Sequence, residues 1–282
     1  MSSPGRSRIY VCHTFYHAYI TCLKELHIQR DPLQKQAGAV LLLSSMSNDF
    51  GNLKERAGKS GLFTEVLPFD EKEETFFPEL AQYRTDTGNL VKNMLQRIRF
   101  TRKFGKLLEP YIPVDFKRFD DIYVFCDSDP IGYYLSTHKI YYHAVEDGLN
   151  CILYYDTARY DNRGHFKLKA WMSKHNLIFI QNGYNKYCLD MEVNDVSVLP
   201  YPCEKYLEKP RKELTDDLTD EEKAQKKDLA QQVLDKVKAS DDVANADMDA
   251  LAKEVDDSLS ATAPAFTTAG STDDTLDEAV QD

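Results

Sequence analysis

The residues best placed to do chemistry lie in Tyr141-Tyr-His-Ala-Val-Glu-Asp-Gly148, where an apolar run ends in two carboxylates and a glycine. A carboxylate at the carboxyl end of a buried strand can serve as a general base, and a neighbouring acid disfavours a second charge and pushes one pKa toward neutrality. The same letters also spell an ordinary strand-end turn with solvated acids, because Asp-Gly is a common turn signal. Two further runs end in polar residues. His13 and His17 follow Ile9 to Cys12 at a spacing of four, which suits a metal pair on one helix face or the polar lining of a cleft. Without a third ligand in view, no metal is assigned, and His13 is read as touching acceptor or donor oxygens. Asp127 and Asp129 follow Ile122 to Cys126, with Pro130 behind them, a pattern that fits either substrate binding or helix capping. Asn182-Gly183 is another strand-end turn.

The elements that must hold these residues are legible as short apolar runs of strand length: Ile9 to Cys12, Ala39 to Leu43, Phe63 to Phe69, Ile122 to Cys126, Ile140 to Val145, Leu177 to Ile180 and Val196 to Leu199. Runs of this kind suit strands buried on both faces. Stretches with helical spacing separate most of them, the first capped by Thr14 and carrying Phe15, Ala18, Cys22 and Leu26. Strands alternating with helices predict an α/β, Rossmann-like, doubly wound parallel sheet. Ligands of such sheets bind outside the carboxyl ends of the strands.

A long helix is expected from about Leu80 to Leu108. It bears Lys92, Arg97, Arg99, Arg102, Lys103 and Lys106, with no acid between residues 91 and 106. That face suits phosphates or an anionic membrane surface, contacted through Lys92, Arg99, Arg102 and Lys103, or it is simply a solvated face balanced elsewhere.

Charge divides the chain. Residues 211–282 hold 8 Lys+Arg against 20 Asp+Glu and a single aromatic residue, Phe266, whereas residues 1–210 are nearly neutral. We therefore expect a flexible N-terminus over 1–7, one Rossmann-like domain over 8–210, a linker with a helix over 211–239 opened by the Thr219/Glu222 capping box, and a disordered acidic tail over 240–282. The body is too weakly charged to argue for nucleic acid. Six scattered cysteines without a CxxC pair suit reduced thiols. No apolar run is long enough for a signal peptide or a spanning helix, so the expected location is the cytoplasm, with peripheral contact at the inner face of the plasma membrane.

The acid-acid-Gly triplet at the end of its strand, the opening Ile9-Tyr-Val-Cys-His-Thr-Phe-Tyr-His17, and Phe125-Cys-Asp-Ser-Asp-Pro-Ile-Gly132 together resemble glycosyltransferase family 52, the bacterial lipooligosaccharide and capsule sialyltransferase group, over about residues 8 to 215. The resemblance implies the N-terminal half of a GT-B fold, a CMP-sialic acid donor, a glycan acceptor, and no metal or other cofactor. It implies Asp147 as general base on the acceptor hydroxyl, Glu146 as a shaper of its pKa and geometry, and Gly148 as the position that lets the sugar approach the backbone; His13, Asp127 and Asp129 are substrate-binding candidates from their strand-end positions. One departure stands out: the family's second domain carries a His-Pro motif, and none of the seven histidines here precedes a proline. The expectation is accordingly an acceptor-side domain whose donor-binding half is truncated or supplied by a second polypeptide, inactive as an isolated chain. Two other readings stay open, a non-catalytic sugar- or partner-binding module and a sugar-nucleotide epimerase or glycerophosphate transferase of similar architecture.

Overall fold

Most of the apolar runs become strands because each can bury both faces only between helical layers. In the computed structural model, which describes residues 5–47, 49–125, 127, 130–148, 165–199, 203–211, 219, 221 and 224, seven strands among the described residues form one parallel sheet. They are β1 (Arg8–Cys12), β2 (Ala39–Ser44), β3 (Glu65–Phe69), β4 (Asp121–Phe125), β5 (Tyr142–Val145), β6 (Cys188–Val193) and β7 (Tyr206–Glu208), in the spatial order β3-β2-β1-β4-β5-β6-β7. The order reverses between β1 and β4, whose register pairs Tyr10 with Tyr123 and Val11 with Val124. Chains diverging from such a point leave a crevice at the carboxyl edge.

One face of the sheet buries Ile9, Val11, Leu42, Val124, Tyr142 and Ala144 under α5 (Ile131–Thr137). The other buries Tyr10, Cys12, Leu41 and Leu43 under α1 (Phe15–Ile28) and α3 (Leu53–Lys59). Helices on both faces make the sheet doubly wound, the Rossmann-like class that the alternating pattern predicts. A short helix, α2 (Pro32–Ala37), turns at Gly38 into β2. Thr14 caps α1 by accepting a hydrogen bond from the His17 N–H at 3.2 Å.

Four local expectations are corrected. Leu177 to Ile180 is buried but not a strand; an apolar run cannot by itself be told apart from other buried backbone. The strand of that region is β6, whose Asp190 and Glu192 hide its character from a hydropathy pattern. Those acids are paired across the sheet, Asp190 with His143 at 2.9 Å and Glu192 with Lys24 at 2.7 Å. Val196–Val198 is a 3-10 turn capped by Asp195, and the charged stretch after Glu204, expected as a connector, contains edge strand β7. The long helix is split. Pro78–Tyr83 is a 3-10 helix, Gly88 turns at φ +69°, and α4 (Leu90–Leu107) starts afresh with the Asn89 side chain accepting from the Lys92 N–H.

The chain divides into two units, Met1–Val233 and Leu234–Asp282, and the second, with the predicted acidic tail, lies outside the described residues. Of the predicted capping-box helix, Glu221 and Ala224 are helical. Among the described residues Cys12, Cys22, Cys188 and Cys203 are free thiols, and burial pushes the Cys22 thiol up to about 12.

Candidate active site

Asp127, Glu146, Glu71 and Asp147 stand at the carboxyl edge of the sheet, and they differ in what surrounds them. Asp127, just past β4, is fully buried. It accepts bonds from the Asn182 amide at 2.5 Å, the Gly183 amide at 3.3 Å and the Tyr142 hydroxyl at 2.9 Å. Burial pushes its pKa up to about 6 against those bonds. The Asn182-Gly183 turn therefore serves Asp127. Asp127, expected from the sequence as a substrate contact, is buried here and ties β4 to that turn. Its neighbour Asp129 lies outside the described residues.

Glu146 is also buried, and its oxygens accept from the Asn194 amide at 2.7 Å and the Asn194 side chain at 3.1 Å. Successive residues of an extended chain point to opposite sides, so Glu146 clamps the end of β6 rather than flanking Asp147. Glu71, which hydropathy patterning passes over, sits just beyond β3. It accepts from Ser44 Oγ at 2.8 Å and the Ile131 N–H at 2.9 Å, and it pairs with His13 Nε2 at 2.6 Å. His13, read from the sequence as a direct ligand of substrate oxygens, is thus buried against Glu71. The signal that could have found Glu71 is its position, one of the strand-end places where this fold keeps its polar groups.

Asp147 is the exception. Its side chain remains 18% exposed while its partner, the His17 ring, is 2% exposed, and Asp147 Oδ1 is hydrogen-bonded to His17 Nε2. His17 Nδ1 accepts from the His13 backbone N–H at 3.1 Å, so the ring proton resides on Nε2 and is donated to the carboxylate. The ring is stacked on Phe125 at 4.2 Å with planes 7° apart. Burial lowers the His17 pKa, the bond and charge of Asp147 opposing it, which favours a neutral imidazole. Gly148 follows at φ +57°, and a Cβ there would lie 3.8 Å from the Tyr16 ring. A glycine adopts that left-handed turn without the strain a side chain would bring.

The pair therefore joins β1, β4 and β5 at the reversal of strand order, bringing together residues 130 positions apart. A neutral donor fixed behind a carboxylate that stays 18% exposed holds one of its oxygens in place, the arrangement expected of a positioned general base. The two histidines engage different carboxylates, and no set of three or more His, Cys, Asp or Glu among the described residues could hold a metal ion. An open concavity of about 490 Å³ between α3 and the amino end of β3, lined by Asn52, Glu55, Phe63 and Thr64, is remote from these groups.

No protein-family model and no curated protein matches the chain. Among solved structures it is similar to a protein from Listeria monocytogenes named for UDP-N-acetylglucosamine 2-epimerase, at 12% identity and a TM-score of 0.32, over 62% of this chain and 42% of that one. A likeness of that size carries no argument about activity, and the chain spans less than half of that structure.

Proposed function

We propose that this chain is the acceptor-side domain of a sialyltransferase-like glycosyltransferase, with Asp147 as general base. The observation that carries the reading is the His17–Asp147 pair: unlike the buried Asp127, Glu71 and Glu146 of the same edge, Asp147 is held by a buried histidine while its side chain stays 18% exposed. The resemblance of the Glu146-Asp147-Gly148 triplet to the family 52 motif supports the choice of reaction.

In the step proposed, Asp147 takes the proton of an acceptor hydroxyl as its oxygen attacks the anomeric carbon of the sialyl donor. The bond from that carbon to the phosphate oxygen of CMP breaks, and CMP leaves with the electron pair. His17 positions the base through Nε2–H and keeps its second function, the tautomer, locked by the His13 amide. Glu71 and Glu146 hold the ends of β3, β5 and β6 in register and do not touch substrate. The donor half is supplied by another domain or chain.

Ligand-observed NMR with the full chain against galactose-terminated oligosaccharides tests this directly. Binding without donor is expected, weakened about tenfold or more in Asp147→Asn, as for loss of a hydrogen bond to a charged group. Absence of glycan binding, or equal binding by the variant with an unchanged circular dichroism spectrum, would overturn the assignment.

A further inference from the structure

The exposed side of α4 carries Lys92, Leu95, Arg99, Arg102 and Lys106 at the three- and four-residue spacing that aligns side chains along one helix face, with Val91 and Lys103 beside them. None of the five cations Lys92, Arg99, Arg102, Lys103 and Lys106 makes an ion pair among the described residues. A solvated face would be expected to alternate in sign, and this one does not. Apolar side chains stand among the cations: Leu90 is 41% exposed, Val91 67% and Leu95 48%.

A later helix shares a small apolar core with α4. In α6 (Phe166–Lys174), Met172 belongs to the apolar cluster against which Met94 and Ile98 of α4 pack together with Ile178 and Ile180. Leu168 and Trp171 of α6 are exposed, Trp171 by 53%, and Lys167 beside Leu168 is exposed as well. Trp171 is the sole tryptophan of the chain. Cations interspersed with exposed Leu, Val and Trp are the composition of a surface that settles into the headgroup layer, where indole rings concentrate and lysine and arginine meet lipid phosphates.

The placement of this surface matters for the site. Ile178 and Ile180, on which the first half of α4 packs, run directly into Asn182 and Gly183, whose amides bond Asp127 at the carboxyl end of β4. The apolar half of α4 thus lies toward the edge that holds Asp147. We infer that the exposed basic and apolar face of α4, with Trp171 of α6 as a second contact, docks on an anionic bilayer and presents the carboxyl edge of the sheet to an acceptor carried on lipid. The second part of this inference rests on the function proposed above; the docking does not.

The test uses the full chain with vesicles of phosphatidylcholine alone or with about 30% phosphatidylserine. Co-sedimentation only with the anionic vesicles is expected, falling as salt is raised, together with a blue shift of Trp171 emission and its quenching by brominated lipid. Replacing Arg99, Arg102 and Lys103 by Gln is expected to weaken binding about 100-fold, at about fivefold per cation, and Leu95→Ser with Val91→Ser to reduce the Trp171 shift. No binding at low salt, binding unaffected by the triple substitution, or RNA or free phosphate shifting Trp171 as vesicles do would overturn the docking. Asp147→Asn leaves vesicle binding unchanged, so failure of the proposed chemistry and failure of the membrane surface are read separately.

Discussion

Helix α1 joins the sheet through a buried ion-pair system at each end, and the two ends are built oppositely. Near its C-terminus Glu25 is fully buried and saturated. It accepts two bonds from Arg8 at 2.8 and 2.9 Å, one from the Tyr10 hydroxyl at 2.5 Å and one from Gln29 at 2.6 Å. Near its N-terminus His17 is equally buried, but the carboxylate it holds is not sealed in. Where every lone pair is occupied by protein donors and water is excluded, a carboxylate can only be structural. Where one oxygen is fixed and the group keeps an approach from solvent, the same side-chain chemistry can do work on a ligand. The contrast also separates Asp147 from Asp127, Glu71 and Glu146, which share its edge and not its openness.

Substitutions can break this contrast. The largest effect is expected from Asp147→Asn: with a donor half present, transfer falls by about 10² to 10⁴, while the urea midpoint moves little because the removed charge was partly solvated. A variant that loses stability instead of activity would make Asp147 another Glu25. Glu25→Ala should do the reverse, lowering unfolding free energy by about 3 to 5 kcal/mol, since Arg8 is left buried and unpaired. A loss under about 1 kcal/mol in chemical denaturation would show that the sealed end is not sealed.

His143 gives a pH-dependent measure of a third pair system. Burial would lower its pKa, but hydrogen bonds and charge from Asp121 and Asp190 raise it to about 9. The folded value exceeds the unfolded one, so its contribution is complete below about pH 6.5 and disappears as pH rises through about 9. The stability gap between the natural chain and His143→Gln is therefore expected to be about 1 to 3 kcal/mol at pH 6 and to close by pH 10. A gap that widens with pH would reverse the assigned direction. The smallest effect concerns the open end of α1. Thr14→Ala removes the cap at His17 N–H and should cost about 1 kcal/mol in thermal or urea unfolding, with acceptor binding weakened through His17. If binding is untouched, the cap and the site are independent.

Much of the scaffold was legible because its signals are local. The apolar runs before His13, Asp127 and Asp147 are strand-length, Thr14 is a capping residue one position before a periodic segment, and the acid-acid-Gly triplet marks a strand end. Polar strands escaped because Asp190 and Glu192 of β6 gain their burial from His143 and Lys24, which come from β5 and α1. The break before α4 is written in Gly88 and Asn89, yet the apolar spacing on both sides suggested continuity.

By itself, then, the sequence determined a parallel α/β body and the ends of the strands that precede His13, Asp127 and Glu146. Only the tertiary structure decided that His17 stands behind Asp147, that Glu71 takes His13, that Glu146 turns to Asn194, and that Asp127 is closed off by Tyr142 and the Asn182–Gly183 amides. The reason is physical: periodicity and capping act within a few residues, whereas the fate of a carboxylate is set by which distant donors the strand order brings within about 3 Å of it.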